Sequence, residues 1–261
     1  MVTRDTPWPD GTPSWVDLGS NDIPKAIAFY ARQFGWVAEP GPPDMGGYAV
    51  ATLGGRNVAG IGPIMGPAGT PSTWTTYFAA ADADAAAARI TAAGGQLLAE
   101  PMDVMEQGRL VIAMDVTGAV FGVWQARNHT GAEVANVPGA FTWSEHMSRD
   151  FEGAKAFYAA VFGYEYGDMS SDGFSYATML INGQQVVGGM GAFPAGQGDD
   201  QPAHWSVYFG TSDTDQAVAA ATGNGGRVIR PAADSPYGRM AVVADPEGAV
   251  FSLISTPADD L

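Results

Sequence analysis

An internal repeat constrains this chain more than any other feature of its sequence. Residues 13–36 read PSWVDLGSNDIPKAIAFYARQFGW, and residues 141–164 read FTWSEHMSRDFEGAKAFYAAVFGY. A second pair of matching segments begins at Trp74 and Trp205, where W-x-x-Y-F is followed by a D-x-D motif. Such self-similarity is the signature of a duplicated folding unit. The sequence therefore predicts two homologous modules in tandem, and 261 residues suit two domains of average size.

The repeat divides the chain into five segments. We predict an N-terminal arm (1–11), module 1 (12–126), a polar linker (127–138), module 2 (139–255) and an acidic tail (256–261). The arm has no apolar segment of the kind that forms a secretory signal peptide. No apolar run approaches the roughly 18 residues of a membrane span. These observations predict a cytoplasmic protein.

Each module is predicted to contain two βαβββ units. The first strand of a module leads to an aspartate that can cap a helix, Asp22 in module 1 and Asp150 in module 2. A glycine follows each of these helices, at Gly35 and Gly163, as helix ends favour. Helices then cover one face of each sheet, and the other face is free to curve around a cavity. The predicted fold class is α+β, a tandem repeat of paired βαβββ units that form curved mixed sheets around cups.

Charge and composition limit the kinds of partner. The net charge is −16 and the only lysines are Lys25 and Lys155, which argues against nucleic acid and anionic membranes because both need a basic surface. The absence of cysteine excludes disulfides, thiolate metal sites and cysteine nucleophiles. A ligand that carries an amine suits so acidic a chain.

Two motifs carry a family resemblance. The motif S-x-D-x-x-x-A-x-x-F-Y-x-x-x-F-G-W spans residues 20–36 and returns over residues 149–164, and D-P-x-G-x-x-F-x-L spans residues 245–253. They resemble the vicinal oxygen chelate superfamily, which includes glyoxalase I, extradiol dioxygenases and bleomycin-resistance proteins. The resemblance covers nearly the whole chain. More narrowly, the chain resembles two-module actinobacterial proteins and the glyoxalase-like proteins of polyketide antibiotic pathways, including anthracycline pathways.

The resemblance implies metal-ligand positions from which this chain departs. Metal-using members supply His, Gln or Glu at three positions of each cup. The corresponding residues of this chain are Trp15, Thr75 and Gly122 in module 1 and Trp143, Ser206 and Ser252 in module 2. None of these is a competent metal ligand, and three scattered histidines cannot form two sites. We therefore predict that the protein uses no metal and no other cofactor.

Aromatic and acidic side chains are predicted to line the cups instead. Strand alternation places Asp17 on the face of Trp15 and Glu145 on the face of Trp143. The candidate ligand-binding residues are Trp15, Asp17, Tyr77, Trp143, Glu145, Ser206 and Tyr208. A cup that holds Trp, Tyr and one carboxylate suits a flat aromatic ligand with a hydroxyl or an amine.

Three functions remain open at this point. The leading hypothesis is metal-independent binding of a hydrophobic aromatic small molecule, antibiotic-like or polyketide-like, by sequestration for resistance or in support of biosynthesis. The alternative is an enzyme of the same superfamily, a hydroxylase, isomerase, lyase or glyoxalase-like enzyme, with Asp17 or Glu145 as acid or base. The third is an interaction protein whose cups are plugged by Trp15 and Trp143. We expect a monomer or a homodimer.

The two acids also have a structural interpretation. Asp17 and Glu145 could be solvated, or paired with Arg109 or Arg239, which follow a turn glycine in both modules. Repetition in both modules favours a structural role for these arginines, such as a salt bridge to Asp115 or Asp245.

Overall fold

The computed structural model describes residues 2–67, 69–171, 173–194, 196 and 201–255, so the predicted tail, 256–261, lies outside the described residues. The first half of the chain forms, in order, β1 (Val2–Thr3), β2 (Pro13–Ser20), α1 (Ile23–Phe34), a 3₁₀ turn (Pro43–Met45), β3 (Ala49–Leu53), β4 (Arg56–Pro63), β5 (Thr73–Ala79), α2 (Ala83–Ala92), β6 (Gln96–Val104), β7 (Gly108–Met114) and β8 (Val120–Ala126). The second half forms β9 (Val134–Ala135), β10 (Phe141–Ser148), α3 (Phe151–Phe162), β11 (Glu165–Asp168), β12 (Tyr176–Ile181), β13 (Gln184–Ala192), β14 (His204–Gly210), α4 (Thr214–Gly223), β15 (Arg227–Ser235), β16 (Gly238–Ala244) and β17 (Val250–Ser255). None of the helices in these ranges is long and apolar enough to cross a bilayer.

Each module forms one mixed sheet, which confirms the predicted fold class. The strand orders are β3-β4-β2-β5-β8-β7-β6 in module 1 and β11-β12-β13-β10-β14-β17-β16-β15 in module 2. In both sheets the first strands of the two units pair antiparallel at the centre, β2 with β5 and β10 with β14. The four βαβββ units are therefore joined in pairs, edge to edge.

The first unit departs from the predicted pattern. Its second strand is reduced to one bridge, between Val37 and Thr52. The segment that follows contains Pro40, Pro42 and Pro43, which have no backbone N–H to donate to a strand ladder. The other three units keep all their strands.

The helix ends lie where the sequence predicts them. The Asp22 carboxylate accepts a hydrogen bond from the Lys25 amide at 3.1 Å, and the Asp150 carboxylate accepts one from the Gly153 amide at 2.9 Å. Gly35 and Gly163 adopt φ of 73° and 76°, left-handed values that favour glycine at this position.

The two modules share their cores. The sheets meet back to back at their centres, where Thr76 and Ser144 hydroxyls hydrogen-bond at 2.9 Å. One core combines α1 with apolar residues of β14, β16, β17 and α4 from the other module. The other core combines α2, β7 and β8 with α3 of module 2. The helices fill the layer between the sheets, so the concave faces point away from each other.

Two buried carboxylates tie the modules together. Tyr158 donates a hydrogen bond to Asp115 at 3.0 Å and accepts one from the Trp205 indole at 2.7 Å. His146 Nε2 also lies 2.9 Å from Asp115. Burial raises the pKa of Asp115, but hydrogen bonds, chiefly from His146, outweigh burial and leave that pKa below its ordinary value. The mirrored contact joins Tyr30 to the Asp245 carboxylate at 3.1 Å.

The expected salt bridges from Arg109 and Arg239 to Asp115 and Asp245 are wrong. Arg109 pairs instead with Asp84 at 2.9 Å and Asp103 at 3.1 Å. Arg239 likewise pairs with Asp215 at 2.6 Å and Asp234 at 3.0 Å. Arg109 alternates along β7 with Leu110, which lies on the concave face, and therefore points to the helix face near the first turn of α2.

Candidate functional site

Cup 1, the concave face of the module 1 sheet, is built around a hydrogen-bonded chain of aromatic residues and one acid. The Trp15 indole donates to the Tyr48 hydroxyl at 3.0 Å, and Tyr48 donates to the Asp17 carboxylate at 3.3 Å. Tyr77 also hydrogen-bonds Asp17. The structure thus brings together the three predicted residues of this cup, Trp15, Asp17 and Tyr77.

Cup 2, the concave face of the module 2 sheet, repeats the arrangement. The Trp143 indole donates to the Tyr176 hydroxyl at 3.0 Å, and Tyr208 donates to the Glu145 carboxylate at 2.8 Å. Tyr176 also hydrogen-bonds Glu145, and Ser206 pairs with Glu145 across the two central strands. The four predicted residues of this cup, Trp143, Glu145, Ser206 and Tyr208, are therefore close together.

Sequence reasoning missed two members of these clusters, Tyr48 and Tyr176. Tyr48 lies just before β3, and Tyr176 is the first residue of β12, the equivalent strand of module 2. Both side chains reach across the sheet to the central strand. Gly60 and Gly189 make this possible, because a Cβ at either position would overlap the tyrosine hydroxyl. A tyrosine at the same place in both repeats was the signal that could have found them.

The two cup acids are held by tyrosines rather than by arginines. The proposed pairing of Asp17 or Glu145 with Arg109 or Arg239 is wrong, because those arginines lie on the helix side of the sheets. Burial raises the pKa of Asp17 to about 7, against the opposing hydrogen bonds from Tyr77 and Tyr48. Burial also raises the pKa of Glu145, against hydrogen bonds from Tyr208 and Tyr176 and the charge of Arg230.

The cups differ in how they are covered. The segment that follows β8 folds over cup 1, where the His129 ring lies 4.4 Å from the Trp15 ring and the Trp124 indole donates to the His129 carbonyl at 2.8 Å. The same segment is fixed to β2 by a hydrogen bond that the Ala132 amide donates to the Ser14 carbonyl at 2.7 Å. Trp15 is only 3% exposed, whereas Trp143, its equivalent, is partly exposed. Cup 1 is therefore filled by the chain itself.

The covering histidine is neutral. Burial lowers the pKa of His129 to about 4, and its Nε2 is buried without a hydrogen-bond partner. A neutral imidazole can remain against the tryptophans, whereas a charged one in this surrounding carries a large desolvation cost.

The residues of the cups do not fit a metal centre of the family type. Of the three family ligand positions in module 1, Trp15 lies opposite Tyr77, Thr75 lies opposite Asp17, and Gly122 lies beside Tyr77. The same positions in module 2 are Trp143, Ser206 opposite Glu145, and Ser252 beside Tyr208. Indole, phenol and hydroxyl groups are poor ligands for the metals concerned. Within the described ranges, no three His, Cys, Asp or Glu residues gather where they could hold an ion.

Family models match both modules. The model of the glyoxalase/bleomycin resistance protein/dioxygenase superfamily matches residues 12–124, and that of the glyoxalase-like domain matches residues 145–254. The chain belongs to this superfamily. Its two modules are both members, which accounts for the repeat and for the paired sheets.

The chain matches proteins of similar length from Mycobacterium and Streptomyces. The chain is 39% identical over 249 residues to the putative glyoxylase CFP32 of Mycobacterium tuberculosis, covering 94% of each chain. It is 36% identical over 272 residues to the anthracycline biosynthesis protein DnrV of Streptomyces peucetius, covering 97% of this chain and 95% of that protein.

Solved structures share the fold at low sequence identity. The Mn(II)-bound glyoxalase of Novosphingobium aromaticivorans superposes with a TM-score of 0.65 at 17% identity, covering 94% of this chain and 82% of that one. The 2,2',3-trihydroxybiphenyl 1,2-dioxygenase of Sphingomonas wittichii gives 0.63 at 13% identity, covering 95% and 91%. These likenesses concern the architecture alone.

Proposed function

We propose that cup 2 binds a flat, hydrophobic aromatic small molecule without a metal. The observation that carries this proposal is the partly exposed cluster of Trp143, Glu145, Tyr176 and Tyr208, because the cup 1 equivalents of Trp143 and Tyr208 are buried against the covering segment. Trp15 and Tyr77 then act as core residues of a plugged cup, and the ligand-binding role falls to Trp143, Glu145, Ser206 and Tyr208.

The chemistry of cup 2 suits an oxygenated polycyclic ligand. Indole and phenol rings offer flat faces for stacking, which adds about 0.5–1.5 kcal/mol to the burial of each ring pair. Glu145 and its tyrosine partners present both donors and acceptors to a ligand hydroxyl or carbonyl. Aromatic polyketides carry such groups along a fused-ring system.

The relatives support an aromatic polyketide as the ligand class. Two Streptomyces proteins named for anthracycline biosynthesis are 36% identical to this chain over nearly its full length. We propose that the protein sequesters a molecule of this class, for resistance or in support of its biosynthesis.

Tryptophan fluorescence tests the proposal. Purified protein is titrated with anthracyclines and simpler hydroxyanthraquinones, and each ligand is analysed afterwards for chemical change. We expect saturable quenching at micromolar ligand and recovery of unmodified ligand. Trp143→Ala should abolish binding, whereas the matched variant Trp15→Ala should leave the affinity unchanged at a temperature where it remains folded. Loss of binding in Trp15→Ala alone would assign the site to cup 1.

A second candidate function rests on Glu145. A carboxyl group whose pKa is raised by burial, and which two tyrosines orient, can exchange a proton with a bound molecule. In this alternative the protein is an enzyme in which Glu145 is the acid or base, whereas Asp17 lies in the covered cup. A modified ligand in the titration would favour this alternative, and Glu145→Gln should then bind the ligand but form no product.

A further inference from the structure

The walls of the two cups differ in charge at one equivalent position. Cross-strand partners form a row across each sheet, starting from the tryptophan of the central strand. In cup 2 the row is Trp143, Tyr208, Ser252, Val242 and Arg230. In cup 1 the row is Trp15, Tyr77, Gly122, Ile112 and Ala99. Arg230 therefore stands where the plugged cup has an alanine.

Arg230 faces the cup because directly opposite residues on neighbouring strands share a face of the sheet. Its charge acts on two members of the cluster and favours a lower pKa for Glu145 and for Tyr208, although burial has the larger effect and raises both. Arg230 is exposed, and within the part of the chain that the structure describes it makes no salt bridge. Arg239, by contrast, is paired with two carboxylates on the helix side.

The chain is strongly acidic, with a net charge of −16. A positively charged side chain on the wall of a cup therefore runs counter to the overall charge of the protein. The planar guanidinium of arginine is well shaped to bind a carboxylate through two parallel hydrogen bonds. Four strand spacings separate Trp143 from Arg230, which is about 19 Å along the sheet. A single ring does not span that distance, whereas a fused polycyclic system together with the reach of the arginine does.

We propose that Arg230 makes cup 2 selective for polycyclic aromatic molecules that carry an acidic group, a carboxylate or an ionised phenol, at the end remote from Trp143. This inference rests on the proposed function and adds to it the charge of the ligand. The aromatic system lies against Trp143 and Tyr208, and the acidic group lies at the β15 edge of the cup.

Three probes of the same shape test the inference. Anthraquinone-2-carboxylate, its neutral carboxamide and the cationic 2-(aminomethyl)anthraquinone are titrated against the full chain by fluorescence quenching at two salt concentrations. We expect the carboxylate to bind roughly tenfold more tightly than the carboxamide, as one charge-assisted contact provides, and the amine to bind most weakly. High salt should reduce the difference in affinity between the carboxylate and the carboxamide, and should leave the affinity for the neutral carboxamide unchanged.

Arg230→Met keeps the apolar stem and removes the charge. It should bring the affinity for the carboxylate down to that for the carboxamide and leave the carboxamide unchanged. Arg227→Met removes the same charge from the same strand outside the row and should keep the preference. Thermal unfolding confirms that both variants are folded.

The outcomes separate the two proposals. Equal affinity of the wild-type protein for carboxylate and carboxamide overturns the role of Arg230 while the proposed function stands. An equal loss for both probes in Arg230→Met also overturns it, because the arginine then only shapes the wall. Failure of the wild-type protein to bind any of the three probes counts against the proposed function itself.

Discussion

Trp15 and Trp143 occupy equivalent positions, so replacing each with alanine tests one side chain in two surroundings. Each indole donates one hydrogen bond of 3.0 Å to a tyrosine, which makes that contribution equal in both modules. The difference lies in burial, because Trp15 is 3% exposed beneath His129 and Trp143 is partly exposed.

The magnitudes follow from that burial. A large aromatic side chain replaced by alanine in a packed core costs about 3–5 kcal/mol, and less where part of its surface already meets water. We expect Trp15→Ala to lower the free energy of unfolding by about 4 kcal/mol and Trp143→Ala to lower it by about 2 kcal/mol. For a chain of this size, 1 kcal/mol corresponds to roughly 2–4 °C in Tm.

Urea unfolding followed by circular dichroism measures both variants against the wild type, and the slope with denaturant shows whether the same surface is exposed in each. Equal losses of stability in the two variants would contradict the reasoning. They would mean that the segment carrying His129 does not cover cup 1 in solution, and that the two cups are alike.

Three further predictions concern the interface and the charges. Tyr158→Phe should lower the free energy of unfolding by about 1–3 kcal/mol, because it leaves the buried Trp205 indole without an acceptor and removes one of the hydrogen bonds to Asp115; chemical denaturation measures this. Burial raises the pKa of Asp17 to about 7 in the folded state, whereas the ordinary pKa of this carboxyl group is 3.8. Between these two values the folded protein keeps the proton on Asp17 and the unfolded chain has released it. Stability should therefore fall as pH rises from about 4 to 7, and Asp17→Asn should flatten that slope in unfolding curves taken across the range. Arg109→Met removes only surface ion pairs and should leave the urea midpoint nearly unchanged, and a clear drop in that midpoint would show that the pairs are more than surface contacts.

The repeat in the sequence was enough to predict the architecture. Helix caps such as Asp22 and C-terminal glycines such as Gly35 act within a few residues, so local sequence fixes these boundaries. Strand alternation likewise predicted that Trp143 and Glu145 share a face, because the side-chain period of a strand is always two.

The partners of the charged residues could not be read in the same way. Asp115 and Arg109 are close in sequence, yet Asp115 meets Tyr158 of the other module and Arg109 meets the start of α2. Back-to-back packing of the sheets decides these contacts, and no local pattern reports it.

The sequence by itself determined the two modules, their α+β units and the aromatic and acidic residues of each cup, because repetition, capping and alternation are local properties of the chain. Only the tertiary structure decided that the cups differ. The segment after β8 looks like a polar linker in sequence, but it returns over cup 1 and places His129 against Trp15. Arg230 faces cup 2 and shares a row with Trp143 only through the register of five strands, from β10 to β15. Such non-local packing turns two homologous sequence patterns into one filled cup and one candidate binding site.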